Sequence, residues 1–172
     1  MVKKTLLVNI IGGPGTGKTT TSALVFGHLK VERYNIEYVQ EYAKSLVWTE
    51  DFETLNNQFS VSKSQYNIFK QMDGKVDIIV TDGSLFHGLY YNRHNPDNTS
   101  NIQKTEDHIL KWSNEFNNLN IFLTRNEKRE YETVGRTQSK EEAIKIDFEL
   151  KEVLDQLKIK HDIIHLNDNP MI

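Results

Sequence analysis

Residues Gly12 to Thr19 read GGPGTGKT and fit the pattern G-x-x-x-x-G-K-[ST] without a gap. A loop of Gly12, Gly13, Pro14, Gly15, Thr16 and Gly17 lets successive backbone N–H groups converge on phosphate oxygens that side chains would obstruct. A helix starting at its end adds partial positive charge, and Thr20 follows directly in that helix, within the same cofactor-binding run. Lys18 would then bridge the β- and γ-phosphates of ATP, and the Thr19 hydroxyl would ligate Mg2+. The competing reading is a plain glycine turn. It is outweighed if a buried strand precedes the loop and a helix follows it.

Three further groups of residues could act on a nucleotide held there. Asp82 closes the apolar run VDIIVT; a carboxylate at that place can hold Mg2+ or accept a proton, or else cap a helix starting near Ser84. Glu41 ends the run NIEYVQ and could orient an acceptor hydroxyl and take its proton, or else favour the N-terminus of a helix. Tyr42 and Trp48 could line an acceptor pocket by stacking, although buried aromatics often serve only as core. The segment RNEKREYETVGRTQSK carries Arg125, Arg129 and Arg136, which could neutralise charge on a transferring phosphoryl group from a lid of about 126–138. Arg136 leads because the adjacent glycine offers a hinge; Arg129 comes next, with Arg125 third and also a substrate-side candidate. Interleaved Glu127, Glu130 and Glu132 leave a solvated, salt-bridged face as the alternative. His87 and His94 fall near a loop boundary and receive no role, and the histidines form no convincing metal site.

The elements needed to position these groups are legible in the hydrophobic pattern. Thr5 to Ile11 is short, β-branched and almost continuously apolar, as a strand covered on both faces should be. Lys18 to Lys30 sets Leu24, Val25 and Leu29 along one helical stripe, so the glycine run lies between strand and helix. A short strand is expected over Ile36 to Gln40, one helix over Phe52 to Met72, and a strand in KVDIIVTDGS ending at Asp82. Tyr90 to Asn101 reads as a loop from its Asn, Pro and Asp content. A helix over Lys104 to Phe116, a strand over Leu119 to Arg125, a helix over Glu141 to Leu157 and a strand in HDIIHLN complete the chain. Ser139 and Glu142 have capping-box spacing before the last helix. Alternating strands and helices indicate an α/β doubly wound fold with a mainly parallel sheet. Gly12 to Thr19, Glu41, Asp82 and Arg125 all fall at carboxyl ends of strands, where such sheets bind ligands.

Length and composition set the outer bounds. A chain of 172 residues favours a single domain with one sizeable core, spanning 1–172. The net charge of -3 gives no broad basic field, so nucleic acid is possible as a substrate but not favoured. The absence of cysteine excludes thiolate metal sites and a cysteine nucleophile. No apolar run approaches membrane-spanning length, and a cytoplasmic location is expected. The oligomeric state is left open.

With these motifs in order, the chain resembles the P-loop kinases of small metabolites, and most of all the ribosylnicotinamide-kinase (NadR-like) group with its AAA-labelled relatives. The resemblance rests on GGPGTGKTT, on VQEYAK after the second strand, on VTDGSLF after the third and on the segment NEKREYETVGRTQSKEEAIKIDFEL. It implies a P-loop NTPase fold with a five-stranded parallel sheet of order 2-3-1-4-5. It also implies that Glu41 and Asp82 surround the acceptor hydroxyl and Mg2+, and that lid arginines contact phosphates. By the same resemblance the loop beginning at Asn167 falls where such kinases hold the adenine base. Where relatives often read Glu-Tyr-Ala-Arg, this chain has Lys44. The expected activity is an ATP- and Mg2+-dependent transfer of the γ-phosphoryl group to a nucleoside-like or nucleotide small molecule. The alternatives are a polynucleotide or modified-base DNA kinase, and a nucleotide-dependent switch or ATPase with no phosphoryl acceptor.

Overall fold

The computed structural model describes residues 4–126, 130–131 and 138–166. The candidates Arg129, Arg136 and Asn167 lie outside the described residues. Five parallel strands form one sheet in the order β2-β3-β1-β4-β5, the order the resemblance implies. The central strand β1 (Leu6–Ile11) lies between β3 (Ile78–Thr81) and β4 (Asn117–Thr124), while β2 (Ile36–Val39) and β5 (Asp162–His165) form the edges. In register, Val8 stands opposite Val80 on one side and Leu119 on the other.

Side chains alternating along the strands divide the core into two layers. Leu7, Ile11, Ile79 and Phe122 face one layer, with Phe69, Leu89, Ile109 and Leu150 supplied by helices. Val8, Ile10, Val80 and Leu123 face the other, which α1 (Lys18–Val31) covers with Val25, Phe26 and Leu29. Leu24, read as part of that stripe, is instead largely exposed. The first layer is covered by α4 (Gln58–Met72), α5 (Leu85–His94), α6 (Ile102–Ser113) and α7 (Lys140–Gln156). Each fully buried Leu, Ile or Phe contributes roughly 1.5–3 kcal/mol, so this thicker layer holds most of the apolar stabilisation.

Besides α2 (Tyr42–Trp48), where no helix was expected, and α6, which begins two and ends three residues before the expected Lys104–Phe116, two regions differ from the pattern expected of the sequence. The apolar periodicity from Phe52 to Met72 is divided into α3 (Phe52–Leu55) and α4, because Asn57 caps α4 by accepting from the Ser60 N–H at 3.0 Å. The supposed loop from Tyr90 begins as helix: α5 runs to His94 because Leu89 and Tyr90 are buried against the core, and burial outweighs the local turn composition. The loop proper starts at Asn95. The expected capping box of α7 is present, with Ser139 and Glu142 satisfying each other's backbone N–H groups at 3.1 and 2.7 Å.

Candidate functional site

The glycine run turns from β1 into α1 through Gly17, whose left-handed φ of 96° is costly for any residue bearing a Cβ. Among the described residues α1 has no side-chain cap at Gly17 and no acidic residue in its first turn, features that favour an anion at a helix N-terminus. The loop is also tied to itself. The Gly13 carbonyl accepts from the Thr16 hydroxyl at 3.0 Å and from Lys18 Nζ at 2.9 Å, which lays the lysine across the loop. The Gly13 N–H points the other way and donates to Asp147 Oδ1 of α7 at 2.8 Å. A Cβ at residue 13 would run into that same carboxylate and force it to move, so Gly13 keeps the loop and Asp147 in close contact.

Asp82, only 2% exposed at the end of β3, links the loop to the neighbouring strand. Its Oδ2 accepts from the Thr19 hydroxyl at 2.6 Å and its Oδ1 from the Glu41 N–H at 3.0 Å. It does not cap the helix behind it; Ser84 does, accepting from the Phe86 N–H. Glu41 stands at the N-terminus of α2 (Tyr42–Trp48), but its side chain makes no capping hydrogen bond, which leaves the carboxylate for other work. Burial pushes the Glu41 carboxyl above its ordinary range; Lys18 and Lys44 oppose the rise and the charge of Asp82 adds to it. A hydroxyl and a carboxylate are hard oxygen donors of the kind Mg2+ prefers, so Thr19 and Asp82 fit that ion. Among the described residues no group of three or more His, Cys, Asp or Glu could hold a metal alone.

Cavities open on both sides of this centre. One is lined by Gly15, Thr16, Gly17, Arg125, Tyr131 and Leu166. The other has a mainly apolar wall, with Ala43, Val61, Leu85 and Tyr91, into which Glu41, Gln58, Ser62, Gln65 and His87 bring a few polar groups. Gln65 shapes this wall by accepting from the Tyr42 N–H at 2.8 Å, and Gln58 donates to the Ser62 hydroxyl at 2.9 Å. His87 is 6% exposed, and its Nε2 accepts from the Gly12 N–H at 3.3 Å. That bond requires an unprotonated Nε2. Burial, helped by the charge of Lys18, pulls the imidazole down to about 3 and keeps it neutral.

The structure therefore brings Lys18, Thr19, Asp82 and Glu41 into one centre and sets other expected residues apart. Arg125 stands on the loop side rather than with Glu41, pairing with Asp147 at 2.7 Å and donating to the Pro14 carbonyl at 2.6 Å. Trp48 is 67% exposed on α2; neither it nor Tyr42 lines either cavity, and Tyr42 instead donates its backbone N–H to Gln65 behind the wall. His87 and Asp147 carry no motif, and sequence reasoning passed over both. The one signal for Asp147 is a carboxylate placed beside the apolar stripe Ala143, Ile146, Leu150.

Comparison with known proteins agrees with this geometry. A family model described as an AAA domain matches residues 7–169, nearly the whole chain. The chain belongs to this AAA-domain family, AAA_28. No curated protein sequence matches. Among solved structures, deoxyadenosine kinase from M. mycoides, with the products dCMP and a flexible dCDP bound, is 16% identical with a TM-score of 0.58. That match covers 94% of this chain and 90% of the kinase. NadR in complex with NR is 17% identical, with a TM-score of 0.67 and 96% of this chain covered. NadR with NAD and AMP-PNP is 15% identical, with a TM-score of 0.65 and 95% covered. This AAA_28 domain spans about half the length of NadR, 46% and 45% in the two structures. Such likeness shows a shared P-loop NTPase fold. No helix among the described residues is long and apolar enough to cross a membrane.

Proposed function

We propose that the chain is an ATP- and Mg2+-dependent phosphotransferase that moves the γ-phosphoryl group to a nucleoside-like small molecule. One observation carries the reading: Asp82 bonds the Thr19 hydroxyl with one oxygen and the Glu41 N–H with the other. A candidate phosphate cradle is thereby joined to a carboxylate on the wall of a second, largely apolar cavity that also carries Gln58, Gln65 and His87, as a donor and an acceptor of a phosphoryl group require. A switch or simple ATPase has no need of that second cavity.

In this reading Lys18 and the α1 N-terminus hold the phosphates in line with an acceptor hydroxyl lying against Glu41. Glu41 takes the hydroxyl proton as the oxygen bonds to the γ-phosphorus and the bond to the β-phosphate oxygen breaks, leaving ADP. The upward push on the Glu41 carboxyl makes it a stronger base than a solvated glutamate. Thr19 and Asp82 would hold Mg2+, which withdraws charge from the phosphates when bound. Arg129 and Arg136 are proposed to neutralise charge on the transferring group, and Asn167 to lie beside the adenine base.

The test is transfer from γ-labelled ATP with Mg2+ across nucleosides, nucleoside monophosphates, ribosylnicotinamide and short oligonucleotides. Label is expected on a small acceptor, with transfer falling at least about 100-fold in Lys18→Ala. Label on oligonucleotides, lost steeply with salt, would favour a polynucleotide or modified-base DNA kinase. Label found only as free phosphate would favour the switch or ATPase readings.

A further inference from the structure

Asp147 belongs neither to the glycine motif nor to the centre around Asp82, yet it meets both the loop and Arg125. Its Oδ1 accepts from the Gly13 N–H at 2.8 Å and its Oδ2 from Arg125 Nε at 2.7 Å. Arg125 uses a terminal nitrogen for the Pro14 carbonyl at 2.6 Å and the Ala143 carbonyl at 3.3 Å. The Asp147 and Arg125 side chains are 17% and 10% exposed, so solvent screens the pair weakly. One carboxylate thus fastens three segments together: the start of the loop, the residue following β4, and the second turn of α7.

Two physical consequences follow. The first peptide of the loop is held by an internal acceptor before any phosphate arrives, so less of the loop's freedom remains to be lost on binding. The Arg125 guanidinium is also fixed at the wall of the cavity it shares with Gly15, Gly17 and Leu166, where a planar cation can lie against a base or a phosphate. Because Arg125 neutralises it, the carboxylate can stand behind an anion site without repelling the anion strongly.

We infer that Asp147 is a positioning residue for nucleotide binding, acting through the Gly13 peptide and the Arg125 guanidinium. The inference rests on reading that cavity and loop as the nucleotide site. The same side chain accounts for Gly13, because a Cβ there would displace the carboxylate.

The experiment is equilibrium binding of mant-ATP with Mg2+ to the full chain, with thermal unfolding recorded on the same samples. Asp147→Asn leaves an oxygen for the Gly13 N–H but ends the charge pairing with Arg125; Asp147→Ala removes both bonds. The expected Kd rises about threefold in Asp147→Asn and at least tenfold in Asp147→Ala. Arg125→Gln is expected to weaken binding about tenfold, and Arg125→Gln with Asp147→Asn no further, since the two residues act as one unit. Should Asp147→Ala fail to fold, Asp147→Asn and the double variant still decide the matter. An unchanged Kd in folded Asp147 variants, with Lys18→Ala losing binding, would overturn the inference alone and make Asp147 a purely structural residue. Wild-type protein that binds no mant-ATP would overturn the nucleotide reading, and the inference with it.

Discussion

The glycine loop is one continuous run, Gly12 to Thr19, proposed to hold phosphate mainly through main-chain N–H groups together with Lys18 and Thr19, whereas the cavity beside Glu41 is lined by side chains from separate segments. Glu41 comes from the turn between β2 and α2, Gln58, Ser62 and Gln65 from α4, and His87 and Tyr91 from α5. A backbone cradle recognises what every nucleoside triphosphate shares, and it tolerates variation around it. A side-chain cavity reads a particular shape and hydrogen-bond pattern, and its selectivity changes with single substitutions. The two regions meet at Asp82 and again at His87, which belongs to the cavity wall but accepts a hydrogen bond from the loop.

That contrast can be broken most sharply at Glu41. Glu41→Gln is expected to lower turnover about 100-fold while leaving the Kd for ATP within twofold, because it alters proton transfer and not the cradle. The same variant should be the more stable protein at pH 7. Burial raises the Glu41 carboxyl, so its contribution is present below its ordinary value of 4.5 and is lost as pH rises through the folded value. A Glu41→Gln protein with unchanged turnover would remove Glu41 from the chemistry.

The next effect concerns the residue shared by the two regions. His87 drops from 6.5 to about 3 in the folded chain, so the unfolded chain takes up the proton first and stability falls as pH drops from about 6.5 toward 3. At pH 5 the loss is about 2 kcal/mol, from about 1.4 kcal/mol per pH unit. His87→Gln keeps an acceptor for the Gly12 N–H but does not titrate. Relative to its own stability at pH 7.5, it should lose that much less by pH 5 in denaturant unfolding. Parallel pH profiles for the two proteins would show that His87 titrates alike folded and unfolded.

The smallest effect sharpens the comparison within the cavity wall. Gln58→Leu is expected to raise KM for the acceptor found in the transfer panel up to about tenfold, the worth of one hydrogen bond, with the Kd for ATP unchanged. Equal changes in both constants would mean that Gln58 supports the fold around the centre and does not face the acceptor.

Much of this architecture was legible in the chain. The buried run before Gly12 and the periodicity after Lys18 predicted β1 and α1 within a residue at each end, because both signals are local. Asp82 at the end of a strand and the Ser139 cap were equally local. The pattern failed where packing overrode it. Asn57 interrupts an otherwise continuous helical periodicity with a cap, and Leu89 and Tyr90 hold helix where the composition suggested loop. Trp48 had the right residue type and neighbourhood for a stacking wall, but its place on α2 turns it to solvent.

By itself the sequence determined the glycine loop, its strand and helix, and the parallel α/β class, since each depends on groups a few residues apart. Only the tertiary structure decided which side chains surround that loop. Gly12 meets His87 across 75 residues of chain and Gly13 meets Asp147 across 134. These contacts exist because the crossovers of a parallel sheet return distant segments to the same carboxyl edge. Nothing in the local pattern around His87 or Asp147 encodes that meeting.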